Sequence, residues 1–199
     1  MGNALNRGLV AFLPFLFFAL AAGAAESPEL KSGVFKPARL APDFSLRGSD
    51  GSELKLSRYR GKVVALGFGY TSCPDVCPTT LAELAETRKR LGAAGKEFQV
   101  VYVTVDPERD STERLHKYLG AFDPTFIGAT GTNEELAAVR KAYGIVATKV
   151  PIEGVPSAYL VHHSSFVYLI DREGSLRAMS PYGRNVDDVA SDVKALLKR

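Results

Sequence analysis

The sequence predicts an α/β domain whose central strands are parallel and buried on both faces. Three observations carry that prediction. Lys62 to Tyr70 (KVVALGFGY) and Phe98 to Val105 (FQVVYVTV) are nearly continuous apolar runs, the pattern of strands covered on both sides. Between them, Leu81, Leu84, Ala85, Arg88 and Leu91 recur at helical spacing, and Gly92 and Gly95 end the pattern. A strand, a helix and a strand of these lengths make a right-handed crossover unit with parallel strands.

The remaining elements follow in chain order. Residues 26–42 hold three prolines and little periodicity, and read as a tether. Asp43 to Leu56 contains two short apolar patches around Arg47-Gly48-Ser49-Asp50-Gly51-Ser52, a hairpin with Asp-Gly as its turn signal. The first core helix is expected over about Pro78 to Ala93, and a second from near Ser111 to near Phe122. Thr125 to Ala129 is a short strand. Thr132-Asn133-Glu134-Glu135 is a capping box that opens a helix running to about Tyr143. Ala158 to His163 and Phe166 to Asp171 look like two antiparallel strands. Arg172-Glu173-Gly174 turns into a strand from Ser175 to Met179, and Val186 to Leu197 is the closing helix. This order is a thioredoxin-like arrangement with an N-terminal β-hairpin extension and an inserted segment before the last strands.

The first 25 residues stand apart. One positive charge lies in Met1 to Arg7, an almost wholly apolar stretch runs from Gly8 to Leu20, and Ala21-Ala22-Gly23-Ala24-Ala25 follows. That order is the n-region, h-region and small-residue site of a secretory signal. Leu9 to Ala25 also carries no charge and is at the lower limit for a membrane span, so cleaved signal and retained anchor both stand. Net charge is only +3, with both signs interspersed. Without a basic stripe, nucleic acid is not an expected partner. A domain of this size needs neither disulfide nor metal merely to fold.

Both cysteines lie in Thr71-Ser72-Cys73-Pro74-Asp75-Val76-Cys77-Pro78, between the first core strand and the first core helix. Ligand sites in open α/β sheets lie beyond the carboxyl ends of strands. Pro78 suits the first helical position, which makes Cys77 the expected N-cap, its sulfur at the positive end of the helix dipole. Fully extended, the two Cα atoms would be about 13 Å apart, and Pro74 in a turn draws them together. Sulfurs sharing one metal sit about 4 Å apart, whereas a disulfide closes to about 2.05 Å. The loop admits either. A disulfide here would close a short loop and stabilise little. Thiolates select soft ions, above all Cu(I). The sequence has no Trp, so the Trp-Cys-x-x-Cys pattern of thioredoxins is missing.

Three histidines are available as a third ligand. His116 sits beside Arg114 and Lys117 on a helix, where a solvated face is expected. His162 and His163 are adjacent on a strand and point to opposite faces, so at most one meets a given site. Two thiolates and one imidazole would make a compact three-coordinate Cu(I) site.

Four stretches resemble the Sco/SenC family: Gly69 to Pro78, Val105 to Asp110, Gly128 to Thr132, and His163 to Asp171. The resemblance runs from about Pro42 to the C-terminus. It implies a thioredoxin-like copper-binding domain over residues 43–199, with copper, as Cu(I) or Cu(II), held by Cys73, Cys77 and His163. It implies delivery of copper to the CuA-bearing subunit of cytochrome c oxidase, with other periplasmic copper carriers as further partners. With the leader, it places the domain in the periplasm, soluble or anchored to the inner membrane by residues 9–25. One position departs from the family: His162 stands where an Asp is usual before His-Ser, and an imidazole cannot supply that negative charge at neutral pH. Asp106, at the end of the second core strand, is expected either near the site or in a turn with Pro107.

A thiol–disulfide reductase that keeps the cysteines of exported proteins reduced is the alternative. Exchange needs two cysteines and no histidine, so His163 separates the two readings. A peroxidase reading draws on Ala41-Pro42-Asp43-Phe44 and Gly61-Lys62 but lacks the required Thr-x-x-Cys. Export is directly testable. Residues 1–25 fused to a reporter active only outside the cytoplasm should give signal; signal from a cytoplasmic reporter alone contradicts the reading.

Overall fold

The computed structural model describes residues 29–198, so the leader expected over residues 1–25 lies outside the described residues. The chain runs through β1 (Gly33–Leu40), β2 (Ser45–Gly48), β3 (Glu53–Lys55), β4 (Val63–Gly69), α1 (Val76–Leu91) and β5 (Phe98–Thr104). It continues through α2 (Thr112–Gly120), β6 (Ile127–Thr130), α3 (Asn133–Tyr143) and β7 (Ala147–Pro151). It ends with β8 (Tyr159–His163), β9 (Phe166–Ile170), β10 (Ser175–Pro181) and α4 (Val186–Leu197).

The main sheet has the order β1-β10-β9-β4-β5-β6-β2-β3. β4 and β5 pair in parallel from Val63 opposite Phe98 to Gly69 opposite Thr104, and every residue of both is buried. Burial on both faces removes any period-two pattern, which is why these strands read as unbroken apolar runs. β6 continues the parallel set, and β9 runs antiparallel to β4 on the other side. The β2–β3 hairpin attaches through β6 at the far edge. α1 and α4 pack on each other, while α3 sets Tyr143 against Phe68 and Tyr168. The capping box is formed: Thr132 Oγ1 accepts from Glu135 N–H, and Thr132 N–H donates to Glu135 Oε2.

Three expectations are corrected. The segment read as a tether over residues 26–42 contains β1, which pairs antiparallel with β10. β1 is an edge strand with both faces largely exposed, so no apolar alternation marked it. The first core helix starts at Val76 with Asp75 as N-cap; Cys77 therefore lies inside the first turn and is not the cap. Pro78 is tolerated there because the first four N–H groups of a helix have no intrahelical partner to lose. Finally, β8 does not pair with β9. It leaves the main sheet and pairs with β7, His163 opposite Ala147 and Tyr159 opposite Pro151. The inserted segment is thus a two-stranded ribbon that carries His163. β7 (ATKVP) has too few apolar residues to announce itself.

The start of the described chain is fixed by one buried carboxylate. Asp192 on α4 accepts from the backbone N–H groups of Lys31 (2.6 Å) and Ser32 (2.9 Å), and Leu30 is buried beside it. Hydrogen bonds to a charged group are each worth about 1.5–3 kcal/mol. Asp192→Ala should therefore lower stability by about 2 kcal/mol or more in urea unfolding and speed amide exchange at Lys31 and Ser32. Unchanged exchange there would show that β1 is held by its pairing alone.

Candidate metal centre

The cysteine loop and β8 meet beyond the carboxyl end of β4. Cys73 lies in the loop between β4 and α1, Cys77 in the first turn of α1, and His163 ends β8. Cys77 Sγ is 3.3 Å from His163 Nε2, and the ligand atoms of Cys73, Cys77 and His163 all lie within 4.8 Å of one another. One ion with bonds of about 2.0–2.3 Å reaches all three with small movements. Among the described residues, no other group of three or more His, Cys, Asp or Glu side chains is gathered this closely. Both cysteines are thiols, Cys77 buried and Cys73 half-buried.

The imidazole is oriented for this task. Nδ1 lies 3.0 Å from the Ser164 carbonyl oxygen, which can only accept, so Nδ1 carries the proton. In the neutral ring Nε2 then presents its lone pair to Cys77, and the contact between them is an S–H···N hydrogen bond. A soft cation would take the place of the thiol proton.

Burial sets the charge states. It pushes the Cys77 thiol up to about 12, although the Tyr102 hydroxyl and the Tyr70 N–H act in the opposite direction. The expectation of a thiolate stabilised by the helix start is thus corrected: desolvation outweighs the dipole at this sulfur. Burial also holds His163 below its ordinary value, against the pull of the Ser164 carbonyl. Both donors are neutral at pH 7, and a cation between them removes the penalty on the thiolate. Cys73 Sγ accepts from the Cys77 N–H at 3.5 Å, so one backbone dipole already points at the more accessible sulfur.

Two clusters of side chains hold these donors in place. In the first, the fully buried Asp110 carboxylate accepts from Thr71 N–H (3.1 Å), Thr71 Oγ1 (2.5 Å) and Thr104 Oγ1 (2.7 Å). Arg114 adds bonds from Nε to Thr71 Oγ1 (2.6 Å) and from Nη2 to Ser72 Oγ (3.1 Å). The second fastens β8. The Val161 N–H donates to Tyr70 Oη (3.1 Å), and the Tyr70 ring meets the His163 imidazole edge-on at 5.9 Å. Tyr159 Oη donates to Asp106 Oδ1 (2.8 Å). Arg109 pairs with the Asp106 carboxylate, donates from Nη1 to the Tyr159 carbonyl (3.1 Å), and lies 3.8 Å over the Tyr159 ring.

The candidate residues thus separate cleanly. Cys73, Cys77 and His163 come together. His162 is exposed on the opposite face of β8, and His116 is exposed on α2. Asp106 does both things expected of it: its carbonyl accepts from the Arg109 and Asp110 N–H groups in a turn, and its carboxylate reaches β8 through Tyr159. Sequence reasoning assigned nothing to Tyr70, Tyr102, Arg109, Asp110, Arg114 or Tyr159. The signal for Arg109 and Asp110 was their place directly after a buried strand, at the ligand-binding end of the sheet. Tyr159 gave none.

The depressed His163 value makes a pH prediction for the metal-free, reduced chain. The unfolded chain takes up this proton near pH 6.5, and the folded chain only at lower pH. In that window the unfolded state holds more protons, so stability rises with pH. The contribution is complete above about pH 6.5 and is lost as pH falls toward the folded value. His163→Asn should remove this part of the pH dependence in urea unfolding between about pH 5 and 7. An identical slope in the variant would contradict the assignment.

Comparison with known proteins finds relatives across most of the described chain. The SCO1/SenC family model matches residues 34–198. The mitochondrial protein SCO1 homolog 1 of Arabidopsis thaliana is 36% identical over 151 residues, covering 75% of this chain and 44% of that protein. The chain spans between about half and two thirds of the length of such curated relatives. Copper-bound ScoI of Bradyrhizobium japonicum superposes with a TM-score of 0.73 at 34% identity, covering 79% of this chain and 99% of that one. BsSco, described as a member of the Sco family of cytochrome c oxidase assembly proteins with a disulfide switch, has a TM-score of 0.62 at 26% identity, covering 81% and 95% of the two chains. With a family match across nearly the whole described chain, this protein belongs to the SCO1/SenC family.

Proposed function

We propose that the chain is a metallochaperone that binds copper through Cys73, Cys77 and His163 and delivers it to the CuA centre of cytochrome c oxidase during assembly. The observation that supports this most is the approach of a proton-free Nε2 to a buried thiol, 3.3 Å away, beside a second thiol. Two sulfurs and one imidazole suit Cu(I) in a three-coordinate arrangement. Copper-bound relatives and the description of BsSco support the same reading.

The chain's residues divide the work. Cys77 gives up its proton on loading, and the buried position excludes competing water. His163 supplies a neutral donor without changing protonation. Cys73 is the ligand nearer solvent, so a thiolate of the recipient enters on its side and transfer begins by displacing Cys73. We also read residues 1–25 as the signal that exports the chain, working in the periplasm either soluble or held to the inner membrane by residues 9–25.

The second reading is a thiol–disulfide reductase, favoured by the free thiol pair and the half-buried Cys73. In that reaction the Cys73 thiolate attacks a target disulfide. Cys77 then resolves the mixed disulfide, so that two electrons pass to the target. The resolving step is the weak one, because burial keeps Cys77 protonated, with its value at about 12. His163 would have no part in it.

Copper titration separates the readings. The reduced domain should bind one copper with a nitrogen ligand visible by X-ray absorption. The Cys73–Cys77 disulfide form should bind Cu(I) at least a hundredfold more weakly, two of three ligands being lost. His163→Ala should lose the nitrogen ligand, while His162→Ala keeps it. Equal Cu(I) affinity in the reduced and oxidised forms, or loss of nitrogen in His162→Ala alone, would sink the proposal.

A further inference from the structure

Tyr102, in the middle of β5, is 2% exposed, and its hydroxyl has no hydrogen-bond partner among the described residues. A tyrosine hydroxyl buried in a strand normally finds an acceptor. Two glycines show where it is aimed. Gly67 and Gly69 lie two apart on β4 and so share a face, and Gly67 sits directly opposite Tyr102 in the parallel register. A Cβ at Gly67 would meet the Tyr102 ring at 3.3 Å. A Cβ at Gly69 would overlap the Tyr102 hydroxyl and approach Cys77 Sγ to 2.7 Å. The two positions clear a channel along which the ring runs, and the hydroxyl and the sulfur border the same point at its end.

We propose that Tyr102 is a positioning residue for Cys77: its hydroxyl donates an O–H···S hydrogen bond to Cys77 Sγ. The sulfur is then held from two sides. It accepts from Tyr102, while its own proton points at His163 Nε2. This explains why β4 carries glycine at positions 67 and 69. A hydrogen bond donated to sulfur lowers the energy of its lone pairs, and a thiol or thiolate accepts more strongly than a disulfide sulfur. Two consequences follow. The bond favours the reduced form of the Cys73–Cys77 pair. It also makes Cys77 a less electron-rich donor toward a bound metal. The second consequence rests on the copper reading above; the first is a property of the metal-free chain.

The test uses Tyr102→Phe, which removes only the hydroxyl, with the fold checked by circular dichroism. Without copper, both chains are equilibrated against reduced and oxidised glutathione. The variant should shift about two- to tenfold toward the disulfide, the worth of one net hydrogen bond. Loaded with Cu(II), the variant should show its sulfur-to-copper charge-transfer band at lower energy than the parent. Incorporation of 3-fluorotyrosine at position 102, a stronger donor of the same shape, should move the band to higher energy. A folded Tyr102→Phe chain with an unchanged glutathione equilibrium overturns the proposal. So does a charge-transfer band that moves the same way in both variants. A parent chain that takes up no copper refutes the chaperone reading instead and leaves the glutathione equilibrium to decide this one.

Discussion

The arrangement of the site depends on how a strand outside the main sheet is fastened to it. β8 shares no ladder with the central strands, since its backbone pairs only with β7. His163 nonetheless faces two cysteines that belong to the β4–α1 connection. Side chains from the carboxyl ends of β4 and β5 make the attachment. Tyr70 accepts from the Val161 amide, and Asp106 and Arg109 together grip Tyr159 by its hydroxyl, its ring and its carbonyl. None of these contacts involves the three donor atoms. The protein can therefore place an imidazole against a sulfur by means of bonds that need no metal.

The same region balances opposing electrostatic demands. Burial protects the sulfurs from water and from unwanted oxidants, but it also opposes thiolate formation at Cys77 and protonation at His163. The outcome is a pair of neutral donors that a cation converts into a thiolate and an imidazole. In the proposed copper site, affinity for a soft metal would come from relieving a desolvation penalty rather than from a standing negative charge. Cys73 is half-buried and faces a backbone N–H.

Much of this was legible in the sequence. The buried strands announced themselves as unbroken apolar runs, and the capping box marked the start of α3. The place of Cys73 and Cys77 between a strand and a helix pointed to the end of the sheet where they meet His163. Alternation along a strand correctly kept His162 and His163 from sharing a face. What remained hidden has physical causes. β1 and β7 are edge strands with little buried area, so no apolar pattern recorded them. Cys77 looks like a cap because Pro78 suits the first helical position, but proline is tolerated two positions further into the helix as well. The roles of Tyr70, Asp110 and Tyr159 arise from contacts between segments distant in sequence, and no local signal encodes such pairings. Gly67 and Gly69 look like ordinary strand glycines until the ring of Tyr102 is seen against them.

The protein's own contacts hold β8 in place against the cysteine loop. The most direct measurement is residue-specific amide exchange at Val161 by NMR in the reduced, metal-free chain. The Val161 N–H faces Tyr70 and is buried, so its exchange reports the attachment and not the β7 pairing. Protection comparable to that of the β4 and β5 amides is expected, little changed by adding copper. Exchange at Val161 as fast as in an exposed loop, slowing only when copper is bound, would show that the metal assembles the site and would contradict the account.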